Sequence, residues 1–129
     1  MPNYDVALTL QSLYPGQIVL AFDGEQPAPP QASQRYGIPS SPLGQHPPSV
    51  NIDIQFSADP GVFELAVQEA DVDEDADYMT VPSAGTISAV DANFRARTDL
   101  FPFTGKFIRL LLVSRTNAVN LTARISKRT

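Results

Sequence analysis

VNIDIQFSADPGVFELAVQE, residues 50–69, is the stretch that decides the fold class of this chain. Its first eight residues alternate between apolar and polar side chains, and this period of two predicts a β-strand over Val50–Ser57 with one face in a core. Asp59-Pro60-Gly61 then predicts a turn, because proline presets φ and glycine permits a positive φ. Val62–Glu69 repeats the alternation, so the two segments are predicted to form an antiparallel β-hairpin.

Similar patterns continue on both sides of this stretch. Phe107–Val113 is apolar at almost every position, which is typical of a strand at the centre of a sheet. No segment shows convincing helical periodicity. Eight or nine short strands within residues 4–22 and 50–126 predict a single all-β domain over residues 1–129. We expect an antiparallel β-sandwich of jelly-roll type, with an immunoglobulin-like sandwich as the alternative. The further strands are predicted at Tyr4–Leu10, Gln17–Phe22, Tyr78–Val81, Thr86–Val90, Asn93–Thr98 and Val119–Ser126.

Residues 23–48 interrupt the strand pattern. They hold seven of the chain's twelve prolines, and proline lacks the backbone N–H that a helix or a central strand requires. Few large apolar side chains are present there to offset the entropy lost on ordering. The sequence therefore predicts a long, extended, Pro-rich arm that is inserted into the domain and lies across another protein. Partner contacts are expected in or beside this arm, at Tyr14, Phe22, Pro29, Pro30, Arg35, Tyr36, Ile38 and Leu43.

Charge is distributed unevenly along the chain. The net charge of −5 argues against a nucleic-acid partner, which requires a basic surface. No apolar run approaches the ~18 residues of a membrane span, so no membrane partner is expected. Residues 61–94 carry a charge of −8 and residues 95–129 carry +7. Two interpretations stay open: acidic and basic strands pair within a sheet, or the molecule presents opposite charges on two faces.

Neither the histidine nor the acidic cluster predicts catalysis. His46 is the only histidine, and a Pro-rich segment cannot hold a general base in register. Four alternating aspartates resemble the start of a calcium loop, but Ala76 and Pro82 stand where that loop has glycine and glutamate. A weak calcium site and a solvated loop that keeps a sheet edge from pairing are the two interpretations. We expect no enzyme and no cofactor. The four aspartates are Asp71, Asp73, Asp75 and Asp77.

An aromatic cluster surrounds Pro102. Phe101, Phe103 and Phe107 are predicted as core side chains at one end of the sandwich. A protein-contact patch is the alternative interpretation.

Two stretches of this small β-rich chain, which has no cysteine, carry a resemblance to a known family. They are Val62–Asp77 (VFELAVQEADVDEDAD) and Gly105–Val113 (GKFIRLLLV). The chain resembles the jelly-roll cement, or decoration, proteins of tailed-bacteriophage heads. The resemblance implies a structural virion protein that binds the capsid exterior and joins neighbouring major capsid subunits. It also implies a homo-oligomer, a dimer or a trimer, that assembles on the virion in the host cytoplasm. Two alternatives are a carbohydrate-binding sandwich of a tail or fibre, and a head–tail or tail structural subunit.

Overall fold

The computed structural model describes residues 11–39, 48–82 and 85–128. One turn of 3-10 helix covers Asp75–Asp77. Within the described ranges, no helix has the length and apolar character needed to cross a membrane. The strands are β1 (Gln11–Ser12), β2 (Ile18–Glu25), β3 (Gln31–Ala32), β4 (Tyr36–Gly37), β5 (Ser49–Phe56), β6 (Phe63–Ala70), β7 (Met79–Thr80), β8 (Thr86–Ile87), β9 (Arg95–Arg97), β10 (Phe101–Pro102), β11 (Phe107–Arg115) and β12 (Asn120–Lys127).

These strands form two sheets, and all the strand pairs except β1 with β4 are antiparallel. Sheet I has the order β1-β4-β11-β6-β7, with β3 also paired to β11 and β8 to β6. Sheet II has the order β10-β5-β12-β2, with β9 also paired to β5. This architecture confirms the predicted all-β, mostly antiparallel fold class. Strand β11 lies between β6 on one side and β3 and β4 on the other, which confirms its predicted central place.

The sheets pack their apolar faces into one core. Phe56 of sheet II meets Phe63 of sheet I edge to face, with ring centroids 4.9 Å apart. Phe101 and Phe103 are also buried, which confirms that they are core side chains, whereas Phe107 is only half-buried and the prediction is wrong for it. The fully buried side chains of the core include Ile52, Ile54, Leu65, Leu110, Leu121 and Ile125.

The predicted hairpin between Val50–Ser57 and Val62–Glu69 is wrong, because β5 belongs to sheet II and β6 to sheet I. The turn between them arches from one sheet to the other. The Gly61 N–H donates to Asp59 Oδ1 at 2.9 Å, and the Asn117 side-chain amide donates to the Asp59 carbonyl at 3.0 Å. Two strands with one apolar face each can bury those faces side by side or across a core. Here the two faces meet across the core, and the turn at Asp59 contacts the distant turn between β11 and β12.

The first part of the predicted arm, residues 23–39, is folded onto the sheets. Strand β2 continues to Glu25, and β3 and β4 both pair with β11. The Ile38 N–H also donates to the Lys106 carbonyl at 2.8 Å. An extended free arm is therefore wrong for these residues, because the prolines fall between the short paired segments rather than within them. Residues 40–47 and the strand predicted at Tyr4–Leu10 lie outside the described residues.

Candidate interaction surface

A polar cluster lies on the outer face of sheet I, around Arg109 of β11. Arg109 pairs in register with Gln68 of β6, and its Nε donates to Gln68 Oε1 at 2.8 Å. Its Nη1 binds Asp75 Oδ1 at 3.0 Å. The Arg109 guanidinium carbon lies 4.1 Å from the centroid of the Tyr78 ring, a cation–π contact. The acidic segment 71–78 therefore folds over this face of the sheet and covers the arginine.

Asp73 connects this acidic segment to Arg35, which lies between β3 and β4. The Arg35 Nε lies 2.9 Å from Asp73 Oδ1, and the two side chains are only 13% and 7% exposed. The Tyr78 hydroxyl donates to the same carboxylate oxygen at 2.8 Å. Asp73 Oδ2 is buried and has no hydrogen-bond partner among the described residues. The pair is thus an internal tie between two parts of the chain.

The four alternating aspartates do not converge on one point. Asp73 and Asp75 bind arginines, and the described residues contain no group of three or more histidine or acidic side chains that could hold a metal ion. The interpretation of a solvated loop is also wrong for Asp73, which is buried. The contact between Asp75 and Arg109 joins the acidic and basic halves of the sequence inside the molecule.

The buried Tyr78 phenol predicts a loss of stability at alkaline pH. Burial, a hydrogen bond to Asp73 and the Asp73 charge all raise the Tyr78 pKa above its ordinary value of 10.0. Since the folded chain holds this proton more tightly than the unfolded chain, the stabilisation is fully present below pH 10 and is lost above it. Urea unfolding from pH 8 to pH 11 measures this loss.

Tyr78→Phe provides the comparison for the alkaline prediction. We expect the wild type to lose up to about 1.4 kcal/mol per pH unit more than this variant above pH 10, the value for one proton. Tyr36, whose pKa is also raised by burial, and Lys127, whose pKa is lowered by burial, are present in both proteins and cancel in the difference. Parallel pH profiles for the two proteins would contradict the prediction.

The outer face of sheet II carries three arginines around one carboxylate. Asp53 of β5 accepts from Arg95 Nη2 at 3.3 Å and from Arg97 Nη2 at 3.2 Å. On the edge of β5 opposite to β9, Asp53 is the register partner of Arg124 of β12. The Arg95 and Arg97 side chains are 49% and 62% exposed, and Arg124 is exposed. These three arginines, here called the basic row, outnumber the one carboxylate that lies among them, Asp53.

The basic row ends at an apolar sheet edge. Leu20 of β2 is the register partner of Arg124, so the two side chains share a face of the sheet. Ile18 and Leu20 are 56% and 43% exposed, and Tyr14, just before β2, is 55% exposed. Tyr14, Ile18 and Leu20 are called the apolar edge. No strand of the described ranges pairs with the outer side of β2.

A β-bulge sets which β2 side chains face outward. The register shifts between Ala123 and Arg124 of β12, which places Ala21 and Phe22 together on the core side. Asp23 and Glu25 are consequently exposed on the outer face. One side of β2 thus presents an apolar half followed by an acidic half.

The structure corrects four of the predicted partner contacts. Phe22, Tyr36 and Ile38 are buried members of the chain's own core. Arg35 is held by Asp73. The side chains of Phe22, Tyr36 and Ile38 fill the core between the two sheets, so their position in or beside the Pro-rich segment gave a misleading signal.

The remaining predicted contacts are not placed together. Tyr14 is exposed at the apolar edge. Pro29 is half-buried and Pro30 is exposed in the connection between β2 and β3. Leu43 lies outside the described residues.

Sequence reasoning missed the basic row and most of the apolar edge. The basic row depends on two strand registers, β5 with β9 and β5 with β12, that join residues far apart in sequence, so no local pattern reveals it. The apolar edge had a weak signal, because Gln17–Phe22 is apolar at both alternating positions and therefore has apolar side chains on both faces of its strand.

The chain matches no protein-family model and no curated protein.

Proposed function

We propose that this chain is a structural virion protein that binds the outside of a tailed-phage capsid and joins neighbouring major capsid subunits. The observation that carries the proposal is the exposed outer face of sheet II, where the basic row adjoins the apolar edge. A face with exposed arginine and tyrosine beside large apolar side chains has the composition of a protein-docking surface. Arginine is suited to such contacts because its planar fork binds carboxylates in two places.

The strand order supports the jelly-roll part of the proposal. Beyond the two-residue strand β1, which pairs with β4, the strands merge into eight segments, and the first of these pairs with the last, as β2 does with β12. The second pairs with the seventh (β3 and β4 with β11), the third with the sixth (β5 with β9 and β10), and the fourth with the fifth (β6 with β7 and β8). This nesting is that of one long hairpin wrapped into two sheets. Jelly rolls occur in viral capsid proteins and also in lectins.

The docking mechanism differs from the one that the sequence suggested. The side chains of Phe22, Tyr36 and Ile38 are occupied in the core, so the arm does not supply these contacts. We assign the contact to the basic row and the apolar edge instead. Opposite charges on the capsid would orient the approach, and many copies on one shell would retain the protein even when each contact is modest.

A charge reversal in the basic row tests this function. Arg97→Glu is expected to weaken co-sedimentation with expanded, undecorated capsids about tenfold or more, because a wrong-sign charge at a docking face costs several kcal/mol. Lys106→Glu is the matched control, since it makes the same charge change at another exposed site. Circular dichroism checks that both variants fold.

The outcomes separate the proposal from its alternatives. Equal binding by Arg97→Glu and the wild type would contradict the assignment of this face. A wild-type protein that fails to bind capsids but binds glycans would favour the tail or fibre alternative. Rings formed by the purified protein alone would favour a head–tail or tail subunit.

A further inference from the structure

We propose that two copies of this chain pair through β2 in an antiparallel, two-fold arrangement that joins sheet II of one copy to sheet II of the other. An edge strand presents backbone N–H and C=O groups that can pair with another chain, and proteins usually protect such edges. Strand β2 is eight residues long and carries exposed Ile18 and Leu20. The length of this strand and its exposed apolar side chains suit strand pairing between two chains.

The charge pattern of β2 selects the register of this pairing. A two-fold axis between Ala21 and Phe22 places Leu20 of one copy opposite Asp23 of the other, and Ile18 opposite Glu25. Asp23 then lies in the same row as Arg124 of the other copy, about 10 Å away across two strand spacings. An arginine and an aspartate side chain together span that separation. A parallel pairing would instead place the same acidic residues side by side, which is unfavourable.

The backbone of β2 leaves room for this pairing. The Leu20 carbonyl accepts a hydrogen bond from the Tyr36 hydroxyl at 3.3 Å, and a carbonyl oxygen has a second lone pair for another donor. The bulge at Ala21 and Phe22 lies at the proposed axis, so both copies bend at the same place.

The dimer would deepen the proposed function without depending on it. When sheet II of one copy joins sheet II of the other edge to edge, the two basic rows lie on one continuous face. Two linked docking faces bind one shell more strongly than two separate copies, because the second contact forms at a high effective concentration.

The mass of the protein in solution tests the inference without any capsid. We expect the wild type to be a dimer by size-exclusion chromatography with light scattering across a concentration series. Leu20→Glu is expected to raise the dimer dissociation constant at least tenfold, because it places a carboxylate directly opposite Asp23 of the other copy. Leu100→Glu is the matched control, since Leu100 is an exposed leucine outside β2. Circular dichroism confirms that both variants fold.

Single-cysteine variants test the register, since the chain has no cysteine. In the proposed register, positions 20 and 23 of different copies lie about 5 Å apart, within disulfide range. Mixing Leu20→Cys with Asp23→Cys should give a disulfide-linked pair containing one of each. Leu20→Cys alone should not cross-link, because its two copies are offset by about 10 Å along the strands.

Three results would overturn the dimer: a monomeric wild type, a dimer that Leu20→Glu leaves intact, or cross-linking of Leu20→Cys to itself. A monomer that becomes dimeric only when residues 1–10 are removed also overturns it, because the chain's own N-terminal segment would then occupy the edge. A dimer that does not bind capsids supports this inference and removes only the proposed function.

Discussion

Replacing Asp73 with alanine is expected to lower the free energy of unfolding by about 3–5 kcal/mol, the usual cost of removing one partner of a buried ion pair. The Arg35–Asp73 pair is buried, with an Nε–Oδ1 distance of 2.9 Å. The substitution deprives the Arg35 guanidinium of its carboxylate in a site with little water. It also removes the acceptor of the Tyr78 hydroxyl hydrogen bond. Urea unfolding followed by circular dichroism measures the change.

Asp75→Ala is the matched control for this prediction. Asp75 also contacts an arginine, Arg109, but its side chain is 61% exposed. Arg109 keeps its bond to Gln68 and its contact with Tyr78, so the cost should stay below about 1 kcal/mol. Equal losses for the two alanine variants would contradict the assignment of Asp73 as a buried structural tie.

A double replacement distinguishes the pair's charge from its shape. Arg35→Met with Asp73→Leu removes both charges and keeps much of the volume. Replacing a buried ion pair by apolar side chains is often neutral or stabilising. The double variant should therefore recover most of the stability that Asp73→Ala loses. A double variant as unstable as the single one would assign the loss to packing of the acidic segment instead.

The strands of this fold could be predicted because their signal is local. Alternation over Val50–Ser57 and Val119–Ser126 reports one buried face, and the apolar run of Phe107–Val113 reports a strand with sheet neighbours on both sides. Each needs only the side chains of that segment. The structure places β5, β12 and β11 at these positions within a few residues.

The assignment of strands to sheets could not be predicted in the same way. A period of two is identical for a strand that pairs with its neighbour in sequence and for one that faces it across a core. The arch at Asp59 is fixed by Asn117, 58 residues away. The basic row likewise joins Asp53 to Arg97, 44 residues away. Contacts at such separations have no local pattern, so the candidate surface became visible only with the registers of β9, β5 and β12.

Proline content misled the prediction for residues 23–39 for a physical reason. Proline excludes strand pairing only at its own position, through its missing N–H and fixed φ. Pairs of residues between prolines remain free to join a sheet, and Tyr36 with Gly37 does so in β4. The apolar surface that this segment buries was also underestimated. Tyr36 and Ile38 enter a core that the other strands already form, so two side chains are enough to hold the segment on the sheets.

Tyr36→Ala is expected to destabilise the isolated protein by about 3–5 kcal/mol, the range for removing a large buried aromatic side chain. The Tyr36 ring is 5% exposed, and its hydroxyl donates to the Leu20 carbonyl. Tyr36→Phe, which removes only the hydroxyl, should cost about 1 kcal/mol. Most of the loss therefore belongs to the ring. Urea unfolding measures both variants and the wild type under the same conditions.

Tyr14→Ala makes the same substitution at a tyrosine that is 55% exposed, and its cost should stay within about 0.5 kcal/mol. The contrast decides between two descriptions of the Pro-rich segment. If residues 23–39 were a free arm, both alanine variants would be equally harmless to the isolated protein, and Tyr36→Ala would reduce only partner binding. If the segment is part of the sandwich, Tyr36→Ala lowers stability, and any loss of partner binding follows from unfolding. Tyr14→Ala should then retain stability and weaken binding at the apolar edge, so only Tyr36 changes the role that the free-arm description gives it.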